Sequence, residues 1–523
     1  MSIFNSIRIK RPNRSVFDLS HEVKMSMKMG KLVPFFCQDV VPGDTFNMNT
    51  EIMMRLAPMI SPVMHRVNVF THFFYVPNRL IWDEWEDFIT GGENGHSMPV
   101  FPYFLPSSAV RPLMGKGSLS DYLGFPTPSS SDTVYPPDFR MSLLPFRAYQ
   151  LIYNEFYRDQ NLTPPVEFLK TSGSTSLQDV RNLFQLQSRC WEKDYFTSAL
   201  PFTQKGGDVH LPIAGQAPVY YDGSSQNNAI LRNHATGAVL PTGNVFNANG
   251  ELAVEQSPTQ IWGANYDPQG TLKADMSSVT AVTVNEFRQA NRLQQWLERN
   301  ARGGSRYIEQ ILSHFGVRSS DARLQRPEFL GGGKAPVTIS EVLQTSSSDD
   351  TSPQANMSGH GVSVGNSNRF KKFFEEHGQV FGIVSVLPRT TYQQGVPRQY
   401  MKFDKFDYYF PEFAHLGEQP VFESELCMHD NVGPDEVFGY QSRYAEYKYI
   451  PSAVRGDFRD NLNFWHMGRT FADKPRLNHD FVTSDPTKRI FAVTDSSQDE
   501  LYVQLYNNLQ AVRPMPKYGT PSL

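Results

Sequence analysis

A short run of basic residues near the N-terminus is the clearest feature of the sequence that could bind a charged partner. All of these residues precede the first acidic residue, Asp18; they are Arg8, Lys10, Arg11 and Arg14. Guanidinium and ammonium groups neutralise the phosphates of a nucleic acid, and each single-strand contact contributes about −0.7 to the salt slope of binding. We therefore predict that residues 1–20 form a basic arm whose four cations contact nucleic acid. The alternative is a solvated terminus without a ligand.

Two glycine-rich stretches lack the spacing of nucleotide-binding loops. In Gly331–Lys334 the first glycine of a P-loop would be at position 328, where the chain has Glu328, and Ala335 replaces the magnesium-binding Ser or Thr. The glycines from Gly359 to Gly365 follow a Ser-rich segment, and their spacing does not fit a dinucleotide-binding loop. We therefore predict no nucleotide cofactor and interpret the second stretch as a flexible turn.

The cysteines and histidines are not spaced for a metal site or a nucleophile. Cys37, Cys190 and Cys427 are far apart, without a CxxC pair or a protease signature. His429 and Asp430 are close to Cys427, but neighbouring residues of an extended chain cannot all face one ion. We predict reduced, structural thiols, no metal and no enzymatic activity.

Composition excludes a disordered chain and a protein that binds nucleic acid by charge alone. The 523 residues are 39% hydrophobic and 13% aromatic, and the net charge is −4. The 36 glycines and 37 prolines indicate many turns and long loops. Because no stretch approaches the roughly 18 apolar residues of a membrane span, we expect a soluble protein that stays in a cytoplasm.

Alternating apolar and polar residues predict about eight strands in two groups. The predicted strands are Lys31–Val41, Thr45–Leu56, 65–79, Val380–Leu387, Lys402–Phe410, Pro420–Leu426, Val437–Ile450 and Leu501–Val512. If all belong to one sandwich, its first and last strands close the same core across a large insertion, as a jelly roll permits. The predicted fold is therefore mainly β: an eight-stranded antiparallel jelly-roll β-sandwich with long loop insertions and a few helices.

Helical periodicity predicts several helices between the two groups of strands. Ile81–Thr90 and Leu144–Asp159 have helical spacing, and Thr283 and Glu286 form a capping box that begins a long helix. A second helix, Tyr307–Phe315, follows and completes a helical hairpin.

Three segments have the composition of surface loops. Residues 206–282 are rich in Gly, Asn, Ser and Thr and predict an elaborated surface insertion. Ser97–Asp138 and Thr345–Asn368 are rich in Ser, Pro and Gly and predict exposed loops without regular structure.

Six long blocks resemble the major capsid protein of the microviruses, in particular its gokushovirus-like branch. They are HRVNVFTHFFYVPNRLIWDEWEDFITGG (His65 to Gly92), WEKDYFTSALPFTQKG (Trp191 to Gly206), ERNARGGSRYIEQILSHFGVRSSDARLQRPEFLGGG (Glu298 to Gly333), TYQQG (Thr391 to Gly395), FAHLGEQPVF (Phe413 to Phe422) and EYKYIPSAVRGDF (Glu446 to Phe458). The blocks span most of the chain and keep one order. Departures from familiar members are concentrated in 97–138 and 206–282.

The resemblance implies one jelly-roll domain over residues 1–523 that self-assembles into a small T=1 icosahedral shell around a circular single-stranded DNA phage genome. It gives the four arm cations an interior DNA partner, and it makes 206–282 a candidate protrusion at the threefold axes and a candidate host-attachment element. The implied partners are further copies of the chain, a small basic DNA-binding protein, an internal scaffolding protein, a DNA pilot protein and a host surface receptor. The implied location is the virion, after assembly in the bacterial cytoplasm.

A second class stays open from the residues alone. Aromatic-rich jelly rolls also bind sugars, so the alternative is a β-sandwich carbohydrate-binding or hydrolytic protein. Trp82 and Trp85 could anchor a subunit interface, although we favour a place in the core for both.

Overall fold

The fold is mainly β, with antiparallel sheets and a few helices, as the sequence predicts. The computed structural model describes residues 13–128, 135–136, 138–209, 219–221, 231–233, 253–257, 260–266, 272–274, 283–343, 357–429, 432–433 and 436–518. The strands are β1 (Ser15–Asp18), β2 (His21–Met27), β3 (Val33–Val40), β4 (Thr45–Leu56), β5 (Val67–Pro77), β6 (Tyr103–Phe104), β7 (Met141–Ser142), β8 (Val219–Tyr221), β9 (Leu231–Asn233), β10 (Ala253–Ser257), β11 (Gln260–Tyr266), β12 (Leu272–Ala274), β13 (Glu328–Pro336), β14 (Thr338–Leu343), β15 (Met357–Phe373), β16 (Gly378–Pro388), β17 (Glu418–Phe422), β18 (Val437–Ser442) and β19 (Leu501–Arg513). The α-helices are α1 (Trp85–Thr90), α2 (Leu119–Tyr122), α3 (Leu144–Ile152), α4 (Leu177–Leu183), α5 (Val284–Gly303), α6 (Tyr307–Phe315), α7 (Glu423–Leu426) and α8 (His479–Val482).

Two large sheets enclose the main hydrophobic core. A six-stranded sheet has the order β1-β19-β4-β15-β14, and β2 pairs with β19 beyond the end of β1. A four-stranded sheet has the order β13-β5-β16-β3. Phe46 and Met48 of β4 and Val69 and Phe73 of β5 are buried in one cluster, which places the core between the sheets.

The two central strands of the four-stranded sheet, β5 and β16, are buried on both faces. Along β5, Phe73 and Tyr75 belong to the main core, whereas Phe74 and Val76 belong to a second core with α3 and the segments around it. Trp82 is fully buried in this second core, as predicted. Burial on both sides explains why the sequence of β5 is almost continuously apolar.

The chain divides into two compact units. One consists of Met1–Thr203 and Ala301–Leu523 and contains both large sheets; the other is Gln204–Asn300. In the second unit, strands pair as β10-β11-β9 and β12-β8. Thr283 and Glu286 exchange capping-box hydrogen bonds at the start of α5, as predicted. Most of the predicted insertion, 206–282, lies outside the described residues.

Most of the strongly apolar strands are where the sequence predicts them. β3, β4, β5, β16 and β19 match the predicted segments to within two residues at each end. The predictions at Pro420–Leu426 and Val437–Ile450 are too long. In the structure, β17 ends where α7 begins at Glu423. β18 ends at Ser442, before Tyr444, which has a left-handed φ of 59°.

The strand predicted at Lys402–Phe410 is wrong. The segment contains a 3₁₀ turn at Lys405–Asp407, because the Asp407 carboxylate accepts hydrogen bonds from the backbone N–H groups of Phe403 and Asp404 (3.0 and 2.9 Å). These local bonds replace the ladder bonds of a strand.

The loop predicted at Thr345–Asn368 is wrong from Met357 onward, where β15 begins, and residues 344–356 lie outside the described part. The stretch from Gly359 to Gly365 is part of this strand instead of a flexible turn. A Cβ at Gly359 would lie 2.3 Å from the Ser61 carbonyl oxygen, so glycine is needed for close backbone approach. The sequence also gave no signal for β2 or for β13, which contains Gly331–Lys334.

The loop predicted at Ser97–Asp138 is only partly irregular. It contains β6 and α2, and Phe104, Met114 and Leu119 are buried in the second core.

Candidate nucleic-acid interface

The outward side of the six-stranded sheet is a polar, exposed face, which we call the open face. Along β19 every second side chain from Leu501 to Ala511 is buried, all in the main core except the polar Asn507, and the alternate side chains are exposed. The same alternation holds in β4. The exposed side chains of these strands and of the described part of β15 are Tyr502, Gln504, Tyr506, Asn508, Gln510, Asn47, Glu51, Met53, Arg55, Met357, Val364, Arg369, Lys371 and Phe373.

Strand register brings cations, amides and tyrosines into neighbouring rows on this face. Tyr502 pairs with Arg55 across β19 and β4. Lys371 of β15 pairs with Asn47, which in turn pairs with Gln510. Directly opposite residues of antiparallel strands have Cβ atoms about 5 Å apart, so each row is one continuous polar surface.

Exposed rings complete the chemistry of the open face. Tyr502, Tyr506 and Phe373 are 51%, 38% and 45% exposed, which leaves ring surface available for stacking. In the described part of the chain, Arg14, Arg55, Arg369 and Lys371 have no carboxylate within salt-bridge distance. Unpaired cations beside exposed aromatic rings can bind the phosphates and bases of a single strand.

One of the four predicted arm residues reaches this face. Arg14 directly precedes β1, and its guanidinium carbon lies 5.5 Å from the centre of the Phe373 ring. The remaining predicted contacts, Arg8, Lys10 and Arg11, lie outside the described residues. The described part of the arm therefore lies at the Phe373 end of the open face.

Acidic groups keep the face from being strongly basic. Lys24 and Glu22 of β2 form an exposed ion pair of 3.5 Å, and Glu51 lies between the cations. Two hydrogen bonds from Ser20 hold the pKa of Asp18 below its usual value. Binding to such a surface depends on stacking and hydrogen bonding as well as on charge.

The outward side of the four-stranded sheet has cations too, but they already have partners. Arg189 lies 4.0 Å from the centre of the Phe70 ring, and Lys334 forms a 2.8 Å ion pair with Glu192. His72 lies beside Tyr157, with its Nδ1 2.7 Å from the phenol oxygen. Burial, together with the charge of Arg189, lowers the pKa of His72 to about 4.

The thiols and histidines set aside in the sequence form no reactive group in the described residues. Burial raises the pKa of Cys37, Cys190 and Cys427, which disfavours a reactive thiolate. Nε2 of His429 lies 3.3 Å from the carbonyl oxygen of Phe471, and Asp430 is outside the described part. No group of three metal-ligating side chains is found in the part of the chain that the structure describes.

Most of the open-face residues were missed as binding candidates. The signal was present in β19, where LYVQLYNNLQAV alternates apolar with aromatic or amide residues. This pattern predicted the strand, but not that its polar side would stay uncovered.

The helices of the described residues include none that could span a membrane.

Comparison with known proteins gives matches over the whole chain. A family described as capsid protein (F protein) matches residues 5–523. The capsid protein VP1 of Chlamydia phage 1 is 38% identical, covering 99% of this chain and 97% of the relative. VP1 of Bdellovibrio phage phiMH2K is also 38% identical with the same coverage. VP1 of Spiroplasma virus 4 is 32% identical, covering 98% and 95%.

Proposed function

Because the chain belongs to the F protein family of capsid proteins and is the major capsid protein of a microvirus, we propose that it builds a T=1 icosahedral shell around a circular single-stranded DNA genome. Self-assembly into a capsid and a place in the virion follow from the family. The whole-chain match to capsid proteins carries the proposal. It favours a structural, non-enzymatic role over the carbohydrate-binding or hydrolytic alternative.

The strand orders support an eight-stranded jelly roll. One sheet contains β2-β19-β4-β15 and the other β3-β16-β5-β13. Consecutive strands from β2 to β5 alternate between the sheets, and the last strand pairs beside the first. A sandwich built from two Greek keys has connections of this kind, and we propose that β1 and β14 are additions at its sheet edges.

We assign the DNA-facing side to the open face and the basic arm. The carrying observation is the set of exposed cations without a carboxylate partner among the described residues, of which Arg55 lies opposite the exposed ring of Tyr502. The arm residues Arg8, Lys10, Arg11 and Arg14 extend this surface, and many copies in one shell would multiply weak single contacts. Particles in which all four residues are Ala should package less DNA. Unchanged nuclease-protected DNA would contradict the role of the arm.

The proposed shell can be tested with purified protein. Electron microscopy and light scattering of protein expressed alone, and with the other virion proteins, should show uniform small icosahedral particles. DNA extracted after nuclease treatment should be circular and single-stranded. A monomer under both conditions would contradict assembly.

We also propose the partners that such a shell needs: a small basic DNA-binding protein, an internal scaffolding protein, a DNA pilot protein and a host surface receptor. The net charge of −4 supports a separate basic protein, because the chain itself cannot neutralise a genome. Residues 206–282 are proposed as a threefold protrusion for host attachment. Deleting the tip of this segment should preserve particles and abolish adsorption; normal adsorption would exclude that role.

A further inference from the structure

A second surface of the first unit exposes aromatic side chains far more than is usual. We define the aromatic surface as the exposed apolar residues of 400–410 and 447–450. They are Tyr400, Phe403, Phe406, Tyr408, Tyr409, Phe410, Tyr447, Tyr449 and Ile450. Phe403 and Ile450 are 91% and 93% exposed, so both project almost completely into solvent.

Ring contacts make these two segments one surface. The ring of Tyr409 lies 5.1 Å from that of Tyr444 and 6.3 Å from that of Tyr447, centre to centre. The Lys402 ammonium lies 3.7 Å from the centre of the Tyr447 ring and 5.6 Å from that of Tyr408. The Lys402 side chain therefore joins the two segments from beneath.

The aromatic surface is held in place by polar contacts within the subunit. Lys402 forms a 3.2 Å ion pair with Glu446, and their side chains are only 5% and 11% exposed. The capping interactions of Asp407 fix the turn that presents Phe403. Because the backbone is already ordered, covering these rings costs little further conformational entropy.

The area is larger than a monomer normally leaves uncovered. The nine side chains are 43% to 93% exposed. With about 200 Å² of surface each, they together expose on the order of 1,000 Å². The largest apolar patch on a typical monomer is about 300–600 Å². A standard protein interface buries about 800 Å² on each partner, which this surface can supply.

The charges on this surface favour a protein partner over a nucleic acid. The exposed charges in and around it are mixed: Asp404 and Glu412 are acidic, whereas Lys405, Lys448 and Arg455 are basic. A phosphate backbone would gain little there, whereas a second copy with the same mixed charges can pair opposite signs.

A cavity beside the exposed rings gives the aromatic surface a concave part. It has a volume of about 440 Å³, and its lining includes Tyr400, Tyr449, Ile450 and Arg455. Its inner wall includes Arg398 and Glu425, which form a 2.8 Å ion pair. A surface with both projecting and concave parts can be complementary to itself between copies.

We propose that the aromatic surface is a contact between subunits of the shell, covered by a second copy of this chain. This inference rests on the proposed self-assembly and names the surface that carries it. Phe403 and Ile450 are the expected anchors, since they are the most exposed apolar side chains of this surface and would bury the most area on contact.

The test uses the full chain and a matched control. The double variant Phe403→Ser and Ile450→Ser removes the two most exposed anchors, and Met98→Ser changes a side chain that is 89% exposed elsewhere. All proteins should have the wild-type circular dichroism spectrum and melting temperature as free subunits. The double variant should form about tenfold fewer particles than wild type in sedimentation, and Met98→Ser should form normal numbers.

Hydrogen exchange of wild-type subunits and particles gives a second measurement that does not depend on a variant. Residues 400–410 and 447–450 should exchange more slowly in particles. Equal exchange there, or normal particle yield from the double variant, would overturn this inference and leave the proposed function intact. Protection of free subunits by a single-stranded oligonucleotide would assign the surface to DNA and also overturn it. If wild type forms no particles with its virion partners, both proposals fail.

Discussion

The two large sheets share one core but differ on their outward faces. On the four-stranded sheet, Phe74 and Phe381 are buried in a second core, and nearby cations are paired with rings or carboxylates. On the six-stranded sheet, Tyr502 is exposed opposite Arg55, which has no carboxylate partner among the described residues. The first face uses its side chains to stabilise the fold. The second keeps them available for a ligand.

The aromatic surface adds a further contrast in the kind of partner. The open face has amides, cations and separated rings, which suit a flexible polar chain such as single-stranded DNA. The aromatic surface has many exposed rings and mixed charge, which suit another folded subunit. One chain can thus present different surfaces to the genome and to its neighbours.

The largest expected effect compares two aromatic residues on opposite sheets. Phe74→Ala removes a 1% exposed ring from contacts with Phe156 and Phe329 and should destabilise the subunit by about 3–5 kcal/mol. Tyr502→Ala removes an exposed ring and should change stability by about 0.5 kcal/mol or less. Urea unfolding of both variants measures the difference. Equal losses would break the distinction between a covered and an open face.

The next effect is a pH dependence that arises on the covered face. His72 has a pKa near 4 in the folded chain, because burial and Arg189 disfavour its charged form. The unfolded value is about 6.5, so the unfolded chain binds more protons between these values. The stabilisation that comes from the neutral His72 is therefore complete above pH 6.5 and is lost as the pH falls toward 4. The free energy of unfolding decreases by about 2 kcal/mol at pH 5 for this reason.

His72→Gln should therefore lose less stability than wild type between pH 8 and pH 5. At pH 8 the difference in stability between variant and wild type gives the cost of the lost Tyr157 contact, because histidine is neutral at this pH in the folded and the unfolded state. Thermal unfolding at both pH values provides the comparison. An acid-induced loss as large as in wild type would contradict the buried neutral state of His72.

The smallest effect tests the ligand proposed for the open face. Replacing Arg55, Arg369 and Lys371 by Gln should reduce the salt slope of oligo-dT binding by about 2, since each phosphate contact contributes about −0.7. Lys334→Gln on the covered face is the matched control, because this lysine is paired with Glu192. Fluorescence anisotropy against salt concentration measures both. A change of slope in Lys334→Gln, with none in the triple variant, would place the binding site on the four-stranded sheet and contradict the proposal.

The sequence predicts the strands that are continuously apolar or that alternate regularly between apolar and polar residues, and it misses most of the others. β4 and β5 follow from their periodicity, whereas β13 and β15 contain glycines whose role depends on a neighbouring backbone, as Gly359 depends on Ser61. Local patterns cannot contain that information. The false strand at Lys402–Phe410 has the opposite cause: its aromatic residues imitate a buried strand, but Asp407 fixes a turn that leaves them exposed.

The candidate interfaces were predictable only in part. The basic arm is visible from charge, and Arg14 does lie at the open face. The tyrosines of β19 are visible as an alternating pattern. Which of the two sheets has a second core on its outward side is decided by segments that are distant in sequence, such as α3. Tertiary packing therefore determines which polar face stays available.

A reconstruction of the assembled particle, at a resolution that traces strands, tests both surfaces in one measurement. We predict that the open face points inward toward DNA density and that Phe403 and Ile450 are buried between neighbouring copies. An open face on the outside of the shell, with the aromatic surface still exposed to solvent, would contradict the roles assigned to both.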